Sequence, residues 1–270
     1  MKKISIEDFC EDIVGKAMRG LQMPDDAVAA SVGVSVAAVQ ALRRGEGDNA
    51  TARAVAPSLG LDPDKLAEAF HARWYPQSHD MDGLFMVNTP YHDMFVNAYL
   101  IWDSDSRCGA LFDTGADARG LIEKAKELDV EVTHIFLTHT HGDHIMDLDC
   151  VQAAFPSATV HVGEREPLSG VLPVRHGDTF AVGGLTVSAR LTWGHAKGGI
   201  TYVVDGLAAP VAVVGDAVFA GSMGGGMISY ADALRTNREE ILSLSDETVL
   251  CPGHGPLTSV GEEKAHNPFF

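Results

Sequence analysis

Apolar positions change their period once along this chain of 270 residues. Over residues 1–75 they recur at helical spacing. Ile6, Phe9, Ile13, Val14 and Ala17 fall on one face of a helix over residues 5–19. Pro24-Asp25-Asp26 opens a second helix, with proline and early acids where a helix start favours them. Val32-Gly33-Val34-Ser35 is a turn ending on an N-cap serine, and a third helix runs over 35–44. Two more follow over 49–59 and 62–74. Around Tyr75-Pro76-Gln77-Ser78-His79 the pattern changes, and short apolar runs begin to alternate with amphipathic ones. Residues 84–87, 95–102, 109–112, 132–137, 159–162, 186–191, 200–204, 211–214 and 248–251 read as strands, and 120–128 and 231–244 as helices. The prediction is a small all-α domain over 1–75, followed by an α/β domain with mixed sheets over 80–270. The sequence contains no internal repeat and no low-complexity tract.

The apolar run 132–137 ends at Thr138-His139-Thr140-His141-Gly142-Asp143-His144, where three histidines and one carboxylate fall within seven residues. Imidazole with carboxylate suits a borderline divalent ion such as zinc. Four candidate ligands so close in sequence can hardly all serve one ion. His139 and His141 alternate and can point the same way, whereas Asp143 and His144 lie past a glycine and can turn toward a second position. A chance cluster is the bland alternative, and three further candidates weigh against it. His195, Asp216 and His254 each follow a glycine on a loop after a predicted strand. His139, His141 and His195 would make one site, and Asp143, His144 and His254 the other. Asp216 would bridge them.

Composition narrows the partners. Hydrophobic content of 46% is ordinary for a globular protein. A net charge of −17 disfavours nucleic acid and anionic membranes as partners of the chain as a whole. Cys10, Cys108, Cys150 and Cys251 are far apart, with no C-x-x-C pair, so they form no disulfide framework. The opening Met1-Lys2-Lys3-Ile4-Ser5 has no apolar core behind its charges, unlike a signal peptide. The expectation is a cytoplasmic protein with reduced thiols and no membrane association.

The string Ala29-Ala30-Ser31-Val32-Gly33-Val34-Ser35, followed by Val39, Leu42 and Gly45, resembles the helix-turn-helix of phage-repressor-like domains. That resemblance implies a DNA-binding regulator whose second domain senses a ligand. Charge points the other way: residues 1–75 hold nine Lys and Arg against eleven Asp and Glu, a net of −2. The recognition helix would offer mainly alanines, and phosphate contacts dominate affinity for DNA. A helical docking module, or the interface of a homodimer, is the competing reading of this segment.

The pattern H-x-H-x-D-H, then Gly194-His195, Gly215-Asp216 and Gly253-His254, resembles the metallo-β-lactamase superfamily over roughly residues 84–270. Its finer texture is similar to the glyoxalase II (hydroxyacylglutathione hydrolase) branch, in the stretches from Gly215 to Gly224, from Pro252 to Thr258 and from Gly261 to Phe270. The resemblance implies an αβ/βα sandwich with a dinuclear site at one edge of its sheets. It also implies that Asp113 is a structural residue beside that site. The sequence departs from the branch in four places. It is expected to lack the C-terminal helical domain that helps hold glutathione, it has Gly224-Gly225-Gly226 after Met223 where an Arg is common, it has Lys197-Gly198-Gly199 where Thr-Pro-Gly is common, and it carries the N-terminal helices.

The expected chemistry is hydrolysis by two divalent ions, zinc foremost, with iron or manganese also compatible. A bridging hydroxide would attack a substrate carbonyl, with Asp143 helping to orient it. A thioester or lactone of a small-molecule substrate fits better than a β-lactam. His92, Lys197 and Tyr202 flank the site and are candidates for substrate contact, against the simpler reading of ordinary loop residues. His134, His161, His176 and His266 read as structural or surface residues. The rival within the same superfamily is a mononuclear iron dioxygenase acting on persulfides, using only His139, His195 and Asp216.

Overall fold

The computed structural model describes residues 3–70, 74–166 and 168–270. Helices come first: α1 (Cys10–Leu21), α2 (Asp25–Val32), α3 (Val36–Leu42), α4 (Asn49–Val55) and α5 (Pro63–Phe70), with a 3-10 turn at Ala56–Leu59. Local chemistry sets their limits. Ser35 caps α3 by accepting from the Ala38 N–H at 3.2 Å, and Asp48 caps α4 through Thr51 at 2.7 Å. Gly33 ends α2 in the left-handed conformation at φ 73°. There α2 and α3 bend by 115°, an angle typical of helix-turn-helix pairs. The helix expected over 62–74 is seen over Pro63–Phe70; residues 71–73 lie outside the described residues, and Trp74 instead stacks on His266 at 4.8 Å.

The remainder is a four-layer sandwich. In chain order it holds β1 (Leu84–Tyr91), β2 (Met94–Trp102), β3 (Cys108–Phe112), α6 (Arg119–Glu127), β4 (Glu131–Leu137), α7 (Gly142–Ile145), α8 (Leu148–Ala154), β5 (Thr159–Gly163) and β6 (Leu172–Val174). Then come β7 (Thr179–Val182), β8 (Leu185–Leu191), β9 (Ile200–Asp205), β10 (Val211–Gly215), α9 (Tyr230–Thr236), β11 (Val249–Pro252), β12 (Thr258–Ser259) and α10 (Val260–His266). One sheet is ordered β1-β2-β3-β4-β5-β6, antiparallel up to β3 and parallel after it. The other is ordered β12-β11-β10-β9-β8-β7, with β10 and β11 its parallel pair. The expected mixed sheets are present.

Period-2 alternation places the core. In β8, Leu185, Val187 and Ala189 are buried while Thr186 between them is exposed. They meet Tyr99, Phe112 and Phe136 of the facing sheet in one cluster. The outer face of the first sheet is covered by α6 and α8, through Leu121, Ala125 and Val151. Ile241 and Val260 cover the outer face of the second. The N-terminal helices share a core with this sandwich: Ile13, Val14 and Met18 cluster with Met223, Tyr230, Ala233 and Phe269.

Two short strands, β6 and β7, interrupt a stretch with no strand pattern of its own, and most of their residues are exposed. The helix expected over 231–244 is α9 followed by a π turn at Asn237–Ile241. The Asn237 side chain donates to Ala217 O at 2.6 Å, tying this widened turn to the loop after β10.

Glu263 of α10 is fully buried and accepts from Thr258 Oγ1 at 2.7 Å, Asn267 Nδ2 at 2.7 Å and Gly221 N at 3.0 Å. Burial pushes its carboxyl up to about 8, against the pull of those donors. Folding therefore takes up a proton. The associated stability is complete below the ordinary value of 4.5 and is lost as pH rises through about 8. Between pH 5 and pH 8 the wild type should lose a few kcal/mol of unfolding free energy that Glu263→Gln keeps. Urea melts at the two pH values check this, and equal pH slopes would contradict it.

Candidate metal centre

Four loops at strand carboxyl ends supply the site. β4 leads to Thr138, His139 and His141, and α7 carries Asp143 and His144. The loop after β8 brings His195, the loop after β10 brings Asp216, and the loop after β11 brings His254. The fold gathers all seven predicted residues. His139, His141, His195 and Asp216 form one group, and Asp143, His144 and His254 a second, with ligand atoms within 4.8 Å of one another in each.

Asp216 lies between the groups. Its Oδ2 is 3.3 Å from His195 Nε2 and 3.5 Å from His254 Nε2, and its Oδ1 is 3.2 Å from His144 Nε2. Asp143 Oδ2 is 3.2 Å from His254 Nε2. His141 Nδ1 faces His139 Nε2 at 2.9 Å and His195 Nε2 at 3.0 Å. Tetrahedral zinc with nitrogen ligands at about 2.05 Å sets those nitrogens roughly 3.3 Å apart. Ring nitrogens that face each other this closely need a proton or a cation between them. His144 Nε2 and Asp216 Oδ1 are buried and face each other at 3.2 Å, yet neither makes a well-aligned hydrogen bond. Such poorly satisfied atoms are costly unless something binds them. The donor set therefore fits divalent metal.

Outer contacts aim each ring. His144 Nδ1 donates to Asp113 Oδ2 at 2.7 Å, His254 Nδ1 to Phe95 O at 2.6 Å and His195 Nδ1 to Gly225 O at 2.9 Å, leaving each Nε2 toward the site. Asp113, at φ 56°, also accepts from Thr138 N at 2.7 Å and Thr138 Oγ1 at 2.8 Å. Thr138 Oγ1 in turn meets His139 Nδ1 at 3.1 Å. A Cβ added at Gly253 would stand 2.2 Å from Asp216 Oδ1 and 2.6 Å from His144 Cε1, so only glycine lets this backbone approach the site.

Two supporting residues were not foreseen. Buried Glu166 accepts from Thr140 N at 2.6 Å and Gly198 N at 3.0 Å, pinning the loops of His141 and His195. Buried Asn97 donates to Pro252 O at 2.9 Å and Gly255 O at 2.8 Å, holding the His254 turn. Asn97 left one signal, a lone amide inside an apolar strand; Glu166 left none. Tyr202 is no substrate contact: it is fully buried and donates to Leu137 O at 3.0 Å. Lys197 and His92 are exposed.

Burial would strip His144 and His254 of their protons, yet neighbouring carboxylates prevail. Asp216 and Asp113 raise His144 to about 10, and Asp216 and Asp143 raise His254 to about 11. His139 is held well below its ordinary value by burial and by the charge of His144. In metal-free protein both His144 and His254 thus carry protons at neutral pH, which a metal must displace. Metal addition at pH 7 should release about two protons per chain. Calorimetry in buffers of different ionisation enthalpy measures this, and metal uptake with no proton release would contradict it.

A family model described as the metallo-beta-lactamase superfamily matches residues 93–254. The chain belongs to that superfamily. Among its relatives, a probable metallo-hydrolase of Streptococcus pyogenes serotype M6 is 31% identical over 189 residues, 59% of this chain and 80% of that one. The hydroxyacylglutathione hydrolase GloC of Haemophilus influenzae is 27% identical over 198 residues, 64% of this chain and 92% of that one. The crystal structure of ETHE1 from Myxococcus xanthus superposes with a TM-score of 0.60 at 29% identity, covering 68% of this chain and 83% of that one. Family, relatives and paired donor groups support a metal-dependent hydrolase.

The helices N-terminal to the superfamily match buttress its metal loops. Asp8 is ion-paired with Lys16 and accepts from Ser222 Oγ at 2.6 Å. Lys16 Nζ donates to Met223 O at 2.9 Å and stands 4.9 Å over the Phe219 ring, whose edge meets His254. This ties α1 to the segment that runs from Asp216 to the Gly225 carbonyl orienting His195. The two arginines ending the α3 region are paired with acids, Arg43 with Asp25 at 2.8 Å and Arg44 with Glu46 at 2.9 Å.

Proposed function

We propose that this chain is a dinuclear metal-dependent hydrolase of a small-molecule thioester. The observation that carries the reading is Asp216, buried between two histidine groups with Oδ1 facing His144 and Oδ2 facing His195, and with no well-aligned hydrogen bond to Oδ1. His139, His141 and His195 would hold one ion and Asp143, His144 and His254 the other, with Asp216 shared. Zinc fits this nitrogen-rich set, and iron or manganese would use the same ligands. When bound, the metal pair supplies a nucleophilic water at neutral pH and polarises the substrate carbonyl.

The chain's own residues do the rest. Asp143 is largely buried and faces His254 across the site, so it can accept a hydrogen bond from the attacking water and orient it. Asp113 and the Phe95 and Gly225 carbonyls keep the rings from rotating. A thiol of pKa about 8.5 leaves as thiolate without a proton donor, whereas an amide nitrogen must be protonated. That difference favours a thioester over a β-lactam. The net charge of −17 and the paired Arg43 and Arg44 support a small-molecule substrate rather than nucleic acid.

Thioester, oxyester and amide forms of one acyl group test the reading. The thioester should turn over at least about a hundred-fold faster than the amide, the scale of a missing general acid. Equal rates on the two, or no thioester hydrolysis by metal-replete protein, would overturn it.

A further inference from the structure

The extended segment Lys3–Phe9 ahead of α1 lies against the residue after His254. A Cβ added at Gly255 would be 3.4 Å from Glu7 N and 3.7 Å from Ser5 O. Both ends of the segment are tied down. Tyr75 OH donates to Ile4 O at 2.8 Å, and Ser222 donates to Asp8 at 2.6 Å. Between this strap and the β1–β2 hairpin lies a groove of about 510 Å³, the size of a small-ligand site. Ile4, Ile6 and Glu7 form one wall, and Met86, Met94 and Phe95 the other. Phe95 is 51% exposed and Met94 39%, so their apolar surface is available. The groove adjoins the metal centre, because Gly255 is in its lining and Phe95 O holds His254 Nδ1 at 2.6 Å.

Among the described residues that line the groove, carboxylates outnumber cations. Glu7 and Asp93 are its carboxylates, and Glu7 interacts electrostatically with His254, Asp8, Lys16 and Asp216. The cation among those described residues is Lys3, which stands 3.7 Å over the Tyr75 ring. Apolar walls with carboxylates welcome an uncharged arm and repel an anionic one.

We infer that the strap is a wall of the substrate site, and that Glu7, with Asp93 opposite, selects a thioester whose thiol half is uncharged and apolar over one with an anionic thiol. The inference rests on the thioester reading above. It gives the N-terminal extension a role in cis, as a specificity element contributed from outside the superfamily match.

The test uses full-length, metal-replete protein and one acyl group on three thiols: N-acetylcysteamine (neutral), 3-mercaptopropionate (anionic) and glutathione (anionic). kcat/KM should favour the neutral arm by roughly tenfold or more, and Glu7→Gln and Asp93→Asn should each narrow that ratio several-fold. Anionic arms hydrolysed as well as the neutral one, or a ratio unmoved in both variants, would overturn the inference. Non-hydrolysable thioethers of the same thiols give a second readout by calorimetry. If no thioester turns over, the hydrolase reading fails. The groove then stands on thioether binding alone, supported by a neutral preference that Glu7→Gln reduces and overturned by its absence.

Discussion

Asp216→Ala is expected to leave the fold intact, strip the chain of bound metal and lower thioester turnover by at least about a thousand-fold. Asp216 contributes to both groups, with Oδ1 toward His144 and Oδ2 toward His195 and His254. No neighbour among the described residues can replace it. Asp143 reaches His254 at 3.2 Å, but among the described residues the first group has no second carboxylate. Removal also withdraws the charge that best opposes the buried His144 and His254 rings, so the variant disfavours both cation binding and ring protonation. Metal content per chain, circular dichroism and thioester kinetics together measure the outcome. Full activity in a folded variant would refute the bridging assignment.

Asp113→Ala should do nearly as much damage by a different route. Asp113 touches no substrate and stands in neither ligand group. It accepts from Thr138 N, Thr138 Oγ1 and His144 Nδ1, all buried. Truncation leaves three donors unsatisfied at about 1–3 kcal/mol each, and frees His144 to rotate. Alanine would also have to hold φ 56° without the side-chain hydrogen bonds that let aspartate tolerate the left-handed region. The expected result is a fall of several kcal/mol in unfolding free energy and about 10–100-fold in metal affinity. Asp113→Asn, which can still accept from Thr138, should recover part of the stability and less of the affinity. Unfolding curves and metal competition titrations separate the two effects. A variant with wild-type metal affinity would show that His144 needs no such support.

How much of this was legible in the sequence follows from range. The ligands announce themselves because donors crowd together after an apolar strand, or follow a glycine at a strand end. Gly253 shows why the glycine is there: any side chain would strike Asp216 and His144. Helix limits at Ser35, Asp48 and Gly33 were readable because caps act within a few residues. β6 and β7 were not, since they are short, mostly exposed and held by neighbours rather than by their own pattern. The π turn at Asn237 depends on Ala217, and Glu166 on Thr140 and Gly198, pairings between residues separated by 20 or more positions that no local period encodes. The strap was hidden in part for the same reason. Ile6 and Phe9 carry helical spacing, yet α1 starts only at Cys10: Asp8 is drawn to the distant Ser222, and the local cap of the Phe9 N–H by Asp12 at 3.0 Å was masked by that apolar spacing.

The central claim is that two ions share Asp216 and drive hydrolysis. It is tested most directly by measuring metal per chain in the active protein, together with thioester hydrolysis and oxygen uptake on a persulfide. The account predicts two divalent ions per chain, thioester turnover and no oxygen consumption. One iron per chain with clear oxygen consumption on a persulfide would contradict it.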